Sequence, residues 1–447
     1  TFAVDAFRFG VIENVTHYFL THFHADHYVG LKKGFTKPVY LSPITARLVE
    51  AFIRVSPEYL HVMELNEPAM IKDVEVTALD ANHCPGAVMF LFKFPNGLCT
   101  LHTGDFRASS EMEMEPMFWN NTIDTLYLDT TYISSKYAFK PQVESIDDVI
   151  NFVGEFRLKH FGEKVMYVCG SYVIGKEKVW TALAEKYDLK VWTEGNRRKA
   201  LEIIADPNML KYLHNDATTA QIHVLSISTM VKIFQYLWTY LQTYSDHFDV
   251  VLAIRPSGWE KNSKPQLRGR VNIVGELIEY SEHSSYNELR RFVRFLQPIK
   301  IISTVPSGSN LSRTAKIPKS WMNNTLRHCT IGYQSSLTNY VKISRSLNNK
   351  QSVNNNVTKD YKDDMAELEE VKRFDSCEDV RFLDTSSVEE SCDLSKVNFI
   401  ELFGFVCLRR PPEQPQQAHY RSTHFNHIYI HISGSRKHKK PNDGGEN

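Results

Sequence analysis

No stretch of about 18 apolar residues interrupts the 447-residue chain, so no membrane-spanning helix is expected. Neither sign of charge prevails, since 52 Lys and Arg face 52 Asp and Glu. That excludes a protein-wide basic field for nucleic acid but leaves room for one basic cleft. Cysteine is sparse: the seven are odd in number, widely spaced and never arranged as CxxC. This speaks against a disulfide framework and for a reducing compartment. Internal repeats are missing, and no signal peptide is expected ahead of Thr1. Because Thr1 is not Met, a piece beginning inside a domain is expected.

The composition, 42% hydrophobic and 23% charged, suits a soluble globular chain with a large core. Its length suggests two or three domains. Alternation and turn chemistry predict strands at Thr16–Leu20, Val39–Leu41, Val74–Asp80, Gly86–Phe94, Leu98–Thr103 and Thr125–Leu128, with a helix over Ser42–Val55. Asn96-Gly97 reads as a hairpin turn. From about Pro141 to Lys264, helices alternate with short apolar strands, as in an α/β unit with a parallel sheet. Strands then resume, Tyr286–Leu296 reads as a helix, and Ile299–Thr304 as a last strand. Beyond about Ser307 the order fades. Residues 351–397 hold 13 acidic against 6 basic residues, which suits a solvated or disordered segment. The basic run Arg436–Lys440 is open to reading as a nuclear-localisation patch or as a solvated terminus.

The segment His22-Phe23-His24-Ala25-Asp26-His27 follows a strand and packs three imidazoles and a carboxylate into six residues. Both groups suit zinc-like ions. In a loop, His22 and His24 can face one ion while Asp26 and His27 face a second. One segment cannot fill two sites, so His83, Asp105 and His283, each at a turn after an apolar stretch, are the candidate partners.

These features resemble the metallo-β-lactamase superfamily: HxHxDH, then a His near residue 80, then TGD. LDTTY and SEHSSY resemble its β-CASP nuclease branch. ANHCPGAV, LHTGDFR, LYLDTTY, GKEKV and EYSEHSSY are similar to the DNA cross-link repair nucleases, the group that includes Artemis and Apollo. DAFRFG, THFHADHY and RPSGW resemble its A-type branch most. The resemblance covers about residues 1–306. It implies an α/β fold: a metallo-β-lactamase αββα sandwich, residues 1–140 and 265–306, with an α/β β-CASP insertion at 141–264. Residues 307–447 are left as an unfamiliar tail, expected to be largely disordered.

The resemblance further implies one or two divalent ions, zinc first, and a nuclear location. His22, His24, His83 and Asp105 would hold the first ion; Asp26, His27, His283 and a bridging Asp105 the second. Asp5 would orient a ligand histidine, and Asp129 would support the site beside His283. Val305 matches a position where DNA-processing members carry Val and RNA-processing members His. Thr130, Thr131, Ser171, Tyr172, Gly175, Lys176 and Ser284 would line a pocket for a terminal 5′-phosphate, with Val173 where relatives usually carry Ser. Read from the residues alone, 169–178 joins a strand to a helix and offers glycines and donors to an anion. It is not a Walker A loop, because Glu177 stands where Ser or Thr is needed.

The implied activity is metal-dependent 5′→3′ hydrolysis of DNA with a free 5′ end, single-stranded or cross-linked, alongside repair proteins and no membrane. Asp26, Asp105, Asp129 and His283 would be the catalytic set. The alternatives are a structure-specific endonuclease, a small-molecule hydrolase and a non-catalytic repair scaffold.

Overall fold

The computed structural model describes residues 1–226, 233–258, 266–274, 279–305, 315–322 and 429–430. Contacts divide the chain into two units, Thr1–Pro318 with Phe399–Asn447, and Lys319–Asn398. In the second unit the described residues, Lys319–Met322, form a 3₁₀ turn.

The first unit opens with β1 (Phe2–Val4), β2 (His17–Phe19), the one-turn α1 (Ala25–Tyr28), β3 (Val39–Leu41), α2 (Pro43–Leu48) and β4 (Leu60–Val62). These strands pair in parallel in the order β1-β2-β3-β4. A two-residue strand at Tyr429–Ile430 pairs antiparallel with β1. The rest of the expected tail lies outside the described residues, apart from 315–322, and so does Arg436–Lys440. The helix expected over Ser42–Val55 is a short α-helix capped by Ser42, followed by a π-helical turn at Val49–Ile53. Arg54, at φ +64°, ends it by donating its amide to the Val49 carbonyl.

A second sheet follows: β5 (Pro68–Ile71), β6 (Val74–Asp80), β7 (Val88–Lys93), β8 (Cys99–His102), then α3 (Pro116–Trp119) and β9 (Thr125–Leu128). The β7–β8 hairpin closes at Asn96-Gly97, with Gly97 at φ +82°. The two sheets bury a shared core. Phe2, Val4 and Phe19 of the first pack with Val74, Val76, Phe90 and Phe92 of the second.

Between β9 and the return to this sheet stand α4 (Gln142–Lys159), β10 (Val165–Ser171), α5 (Glu177–Tyr187), β11 (Val191–Thr193), α6 (Gly195–Ile204), α7 (Pro207–Leu210), β12 (Ile222–Ser226), α8 (Ile233–Thr243), β13 (Val250–Ile254), β14 (Gln266–Arg268) and β15 (Val271–Val274). The order is β11-β12-β10-β13-β15-β14, parallel except at β14. This corrects the boundary at residue 264: β14 and β15 complete the inserted sheet rather than returning to the first. Periodicity marks a strand but not the neighbour it pairs with. The chain ends this part with α9 (Tyr286–Leu296) and β16 (Lys300–Ser303), which pairs with β9 at the edge of the second sheet.

Candidate metal centre

The metal-ligand candidates other than His283 stand just past a sheet element. β2 leads through Leu20 and Thr21 into His22–His27; β6 delivers His83, β8 delivers Asp105, and the segment entering α9 delivers His283. Strand ends fix the backbone, and the short segments beyond them turn these side chains toward one point.

The outer nitrogen of each imidazole is anchored on oxygen. Thr21 Oγ1 donates its one proton to Asp5 Oδ2 (2.7 Å), so at 2.9 Å it accepts from His22 Nδ1. His24 Nε2 donates to the Ile174 carbonyl at 3.1 Å, and His83 Nδ1 to the Glu282 carbonyl at 2.9 Å. His27 Nδ1 donates to Asp5 Oδ2 at 2.8 Å, and His283 Nδ1 to Asp129 Oδ2 at 2.7 Å. The other nitrogen of each neutral ring therefore carries a bare lone pair.

Those bare atoms converge. His24 Nδ1 lies 3.0 Å from His22 Nε2 and 3.2 Å from His83 Nε2. Lone pairs this close repel unless a cation lies among them, so the donor set fits a divalent ion. Asp105 Oδ2 lies 3.2 Å from His27 Nε2, 3.8 Å from His22 Nε2 and 3.9 Å from both His83 Nε2 and His283 Nε2. Asp26 Oδ2 is 3.5 Å from His27 Nε2, with 47% of its side chain exposed. The donor atoms form three overlapping groups: His22, His24, His83 with Cys84; His22, His27 with Asp105; and His83, Asp105 with His283.

Burial holds His22 and His83 well below the usual histidine range, helped by neighbouring imidazoles, and lowers His24. These three are kept in the neutral form that ligates metals. Burial also opposes charge on His27 and His283, but carboxylates outweigh it. Asp105, Asp26 and Asp5 raise His27 well above its ordinary value; Asp129 and Asp105 push His283 up to about 9. Burial would raise Asp26 and Asp129, yet His27 and His283 respectively hold them below the usual carboxylate range.

The proposed phosphate-pocket residues are placed differently. Ser171 is buried and donates to the Gly175 carbonyl (2.6 Å). Thr130 Oγ1 shares a 2.6 Å hydrogen bond with Ser303, and Thr131 donates to Asp129. Ser284 Oγ accepts from Ala108 N and donates to the Phe106 carbonyl, so it ties two loops together. The amides expected to cradle an anion are taken: Gly175 N donates to Glu177 Oε1 (2.6 Å) and Lys176 N to Glu282 Oε1 (2.5 Å). This corrects the anion-nest reading of 169–178, because internal carboxylates fill it. Tyr172, 39% exposed, lies 5.9 Å from the His24 ring, and Lys176 Nζ is 5.1 Å over the Tyr172 ring while donating to the Pro256 carbonyl. Arg197 is buried, its guanidinium donating to the carbonyls of Ser171, Tyr172 and Val224. Val305 follows β16, and its carbonyl accepts from Ser303 Oγ (2.9 Å).

Cys84, Glu282 and Arg107 escaped the sequence reading. Each directly neighbours a motif residue or follows one closely, but nothing in the string shows which way it faces.

Residues 207–309 match the family described as DNA repair metallo-beta-lactamase. The chain is 43% identical over 331 residues to the DNA cross-link repair 1A protein of Mus musculus, covering 72% of this chain and 32% of that one. It is 41% identical over 318 residues to the DNA cross-link repair protein SNM1 of Arabidopsis thaliana, covering 69% and 64%. To the 5′ exonuclease Apollo of Gallus gallus it is 32% identical over 290 residues, covering 64% and 58%. The chain thus spans less than two thirds of each relative. Residues 207–309 thus carry a DNA repair metallo-β-lactamase domain, and the chain's relatives are the DNA cross-link repair and Apollo proteins of the metallo-β-lactamase/β-CASP group.

Proposed function

We propose that the chain is a metal-dependent 5′→3′ DNA exonuclease, hydrolysing phosphodiester bonds from a 5′-phosphorylated end in interstrand cross-link repair in the nucleus. One observation carries this: a single carboxylate oxygen, Asp105 Oδ2, lies 3.2–3.9 Å from four imidazole nitrogens whose opposite nitrogens are anchored on oxygen. On this reading His22, His24, His83 and Asp105 hold one ion, and Asp26, His27, Asp105 and His283 the other. Bound divalent ions, zinc first, supply the Lewis acidity that brings a water's pKa toward neutrality and offsets charge on phosphate oxygens.

The remaining work falls to the chain. Asp26 is the ligand-type carboxylate that reaches solvent, so it is placed to take a proton from an attacking water. Asp5 and Asp129 fix the rings of His27 and His283 and keep their inner nitrogens free. Tyr172 offers an exposed ring on which an unpaired base can stack. No nucleophilic serine is required. Residues 1–140 and 279–305 make the catalytic domain, and the sheet between them the insertion.

The test uses single-stranded DNA labelled at its 3′ end, carrying a 5′-phosphate or a 5′-hydroxyl, with zinc or chelator. A zinc-dependent ladder from the 5′ end, stronger with phosphate and lost in Asp105→Ala, is expected. Internal cuts indifferent to the 5′ group would move the assignment to an endonuclease. No cleavage with metal bound would leave a scaffold.

A further inference from the structure

The nest of amides at the start of α5 faces the metal centre but is filled by the protein itself. Glu282, next to the candidate ligand His283, sends its carboxylate into the inserted sheet's β10–α5 loop, where the Lys176 amide donates to Oε1 at 2.5 Å. Its own carbonyl accepts from His83 Nδ1 at 2.9 Å. The same loop supplies the Ile174 carbonyl that accepts from His24 Nε2 at 3.1 Å. Two of the three imidazoles of the first site are therefore set by this one contact region. His24 is held directly by the inserted loop, and His83 through a residue whose side chain is docked in that loop.

Gly175 makes the contact possible. Its φ is +103°, and a Cβ there would meet Glu282 Oε2 at 2.7 Å and His24 Nε2 at 3.5 Å. Ser171 Oγ on the Gly175 carbonyl and the Gly175 amide on Glu177 lock the loop in this form. Glu282 and Gly175 are both inside the protein, and a buried carboxylate here without its amide partner would be costly.

We propose that Glu282 is a positioning residue of the first metal site: its carboxylate, docked on the Lys176 amide beside Gly175, holds the tautomers and orientations of His83 and His24. The insertion then completes the metal centre as well as covering it. This rests on the metal-centre reading above. Partners that orient ligand histidines are worth about 10–100-fold in metal affinity when removed.

The test is a zinc titration of the full chain against a chromophoric chelator, with kcat and KM measured on 5′-phosphorylated single-stranded DNA. Glu282→Ala and, from the other side of the contact, Gly175→Ala are each expected to weaken the tighter zinc about 10–100-fold. Both should lower kcat more than they raise KM. Glu282→Gln keeps an oxygen for the Lys176 amide and should stay within about threefold of wild type. Folded Glu282→Ala and Gly175→Ala proteins with wild-type zinc affinity would overturn the proposal while leaving the metal centre intact. Wild-type protein that takes up no zinc would overturn the metal centre, and this role with it. Were Glu282→Ala to unfold, weakened zinc binding in Gly175→Ala beside near-wild-type binding in Glu282→Gln would still support the role, and unchanged binding in Gly175→Ala would refute it.

Discussion

Asp129 shows how one side chain sets a ligand's chemistry. It is 1% exposed, and its Oδ1 accepts from the amide and hydroxyl of Thr131. Its Oδ2 accepts from His283 Nδ1 at 2.7 Å. With the carboxylate fixed from behind, the ring has one orientation and one tautomer, and Nε2 points toward Asp105. Asp129→Ala should weaken zinc at the His283 side about 10–100-fold and lower kcat by a comparable factor. Asp129→Asn, whose amide oxygen still accepts, should lose less. Chelator competition read beside kcat checks this, and equal losses in the two variants would sink it. The ligand residues were legible because HxHxDH and TGD are dense, local strings. The anchors Ile174, Glu282 and Thr21 were not, since two of these contacts use backbone carbonyls and no string records which side chain a carbonyl meets.

Arg107 works between elements. It is 2% exposed and lies just past β8. Nη1 donates to the Ser281 carbonyl (2.6 Å), Nη2 to the Lys140 carbonyl (2.8 Å) and Nε to Glu288, which also closes the capping box at the start of α9. One guanidinium thus joins the Asp105 loop, the entry to α4 and the segment carrying His283. Arg107→Gln leaves Glu288 without its charge partner and takes the guanidinium from the Lys140 carbonyl, while the Ser281 carbonyl keeps its hydrogen bond from Gln142 Nε2 (2.9 Å). It should lower stability by about 3–5 kcal/mol, read as a fall in the urea midpoint at unchanged slope; a loss under 1 kcal/mol would refute the tie.

Within the inserted sheet, His223 on β12 donates from Nε2 to the Ala217 carbonyl and accepts at Nδ1 from Tyr240 of α8. Burial lowers its pKa, so the fold prefers the neutral ring. That stability is whole above the unfolded value near 6.5 and is lost as pH falls below it, by up to about 1.4 kcal/mol per unit. Wild type should therefore lose more stability than His223→Gln between pH 7 and 5.5 in urea unfolding, and parallel losses would refute it. Helix and strand periods revealed most of these elements. They missed α6, α7 and β14, and the pairing of β15 with β13, which depends on a fold-back no local pattern encodes.

At the scale of the whole molecule, the candidate ligands come from both core sheets and from the segment before α9, while His24 leans on the inserted loop. Without a cation, the bare nitrogens of His22, His24 and His83 oppose one another at 3.0–3.2 Å, so an ion bound there favours the folded arrangement of every segment that supplies a donor. At free zinc 100-fold above its dissociation constant the gain is about 2.7 kcal/mol. Chelator should lower the wild-type unfolding midpoint accordingly and move Asp105→Ala much less.

The effect should also be local. The Ile174 carbonyl and the Lys176 amide are held only while His24 and Glu282 keep their places, and the Gly175 amide, on Glu177 Oε1, lies in the loop between these two contacts. Amide exchange at 175–177 should therefore quicken when zinc is withdrawn. The β10–β13 core, built on Met166, Val168, Val251 and Ala253, packs without reference to the ligands and should exchange at the same rate with and without the ion. Exchange at 175–177 indifferent to zinc would mean that the insertion and the metal centre are mechanically separate, whatever the metal's effect on global stability.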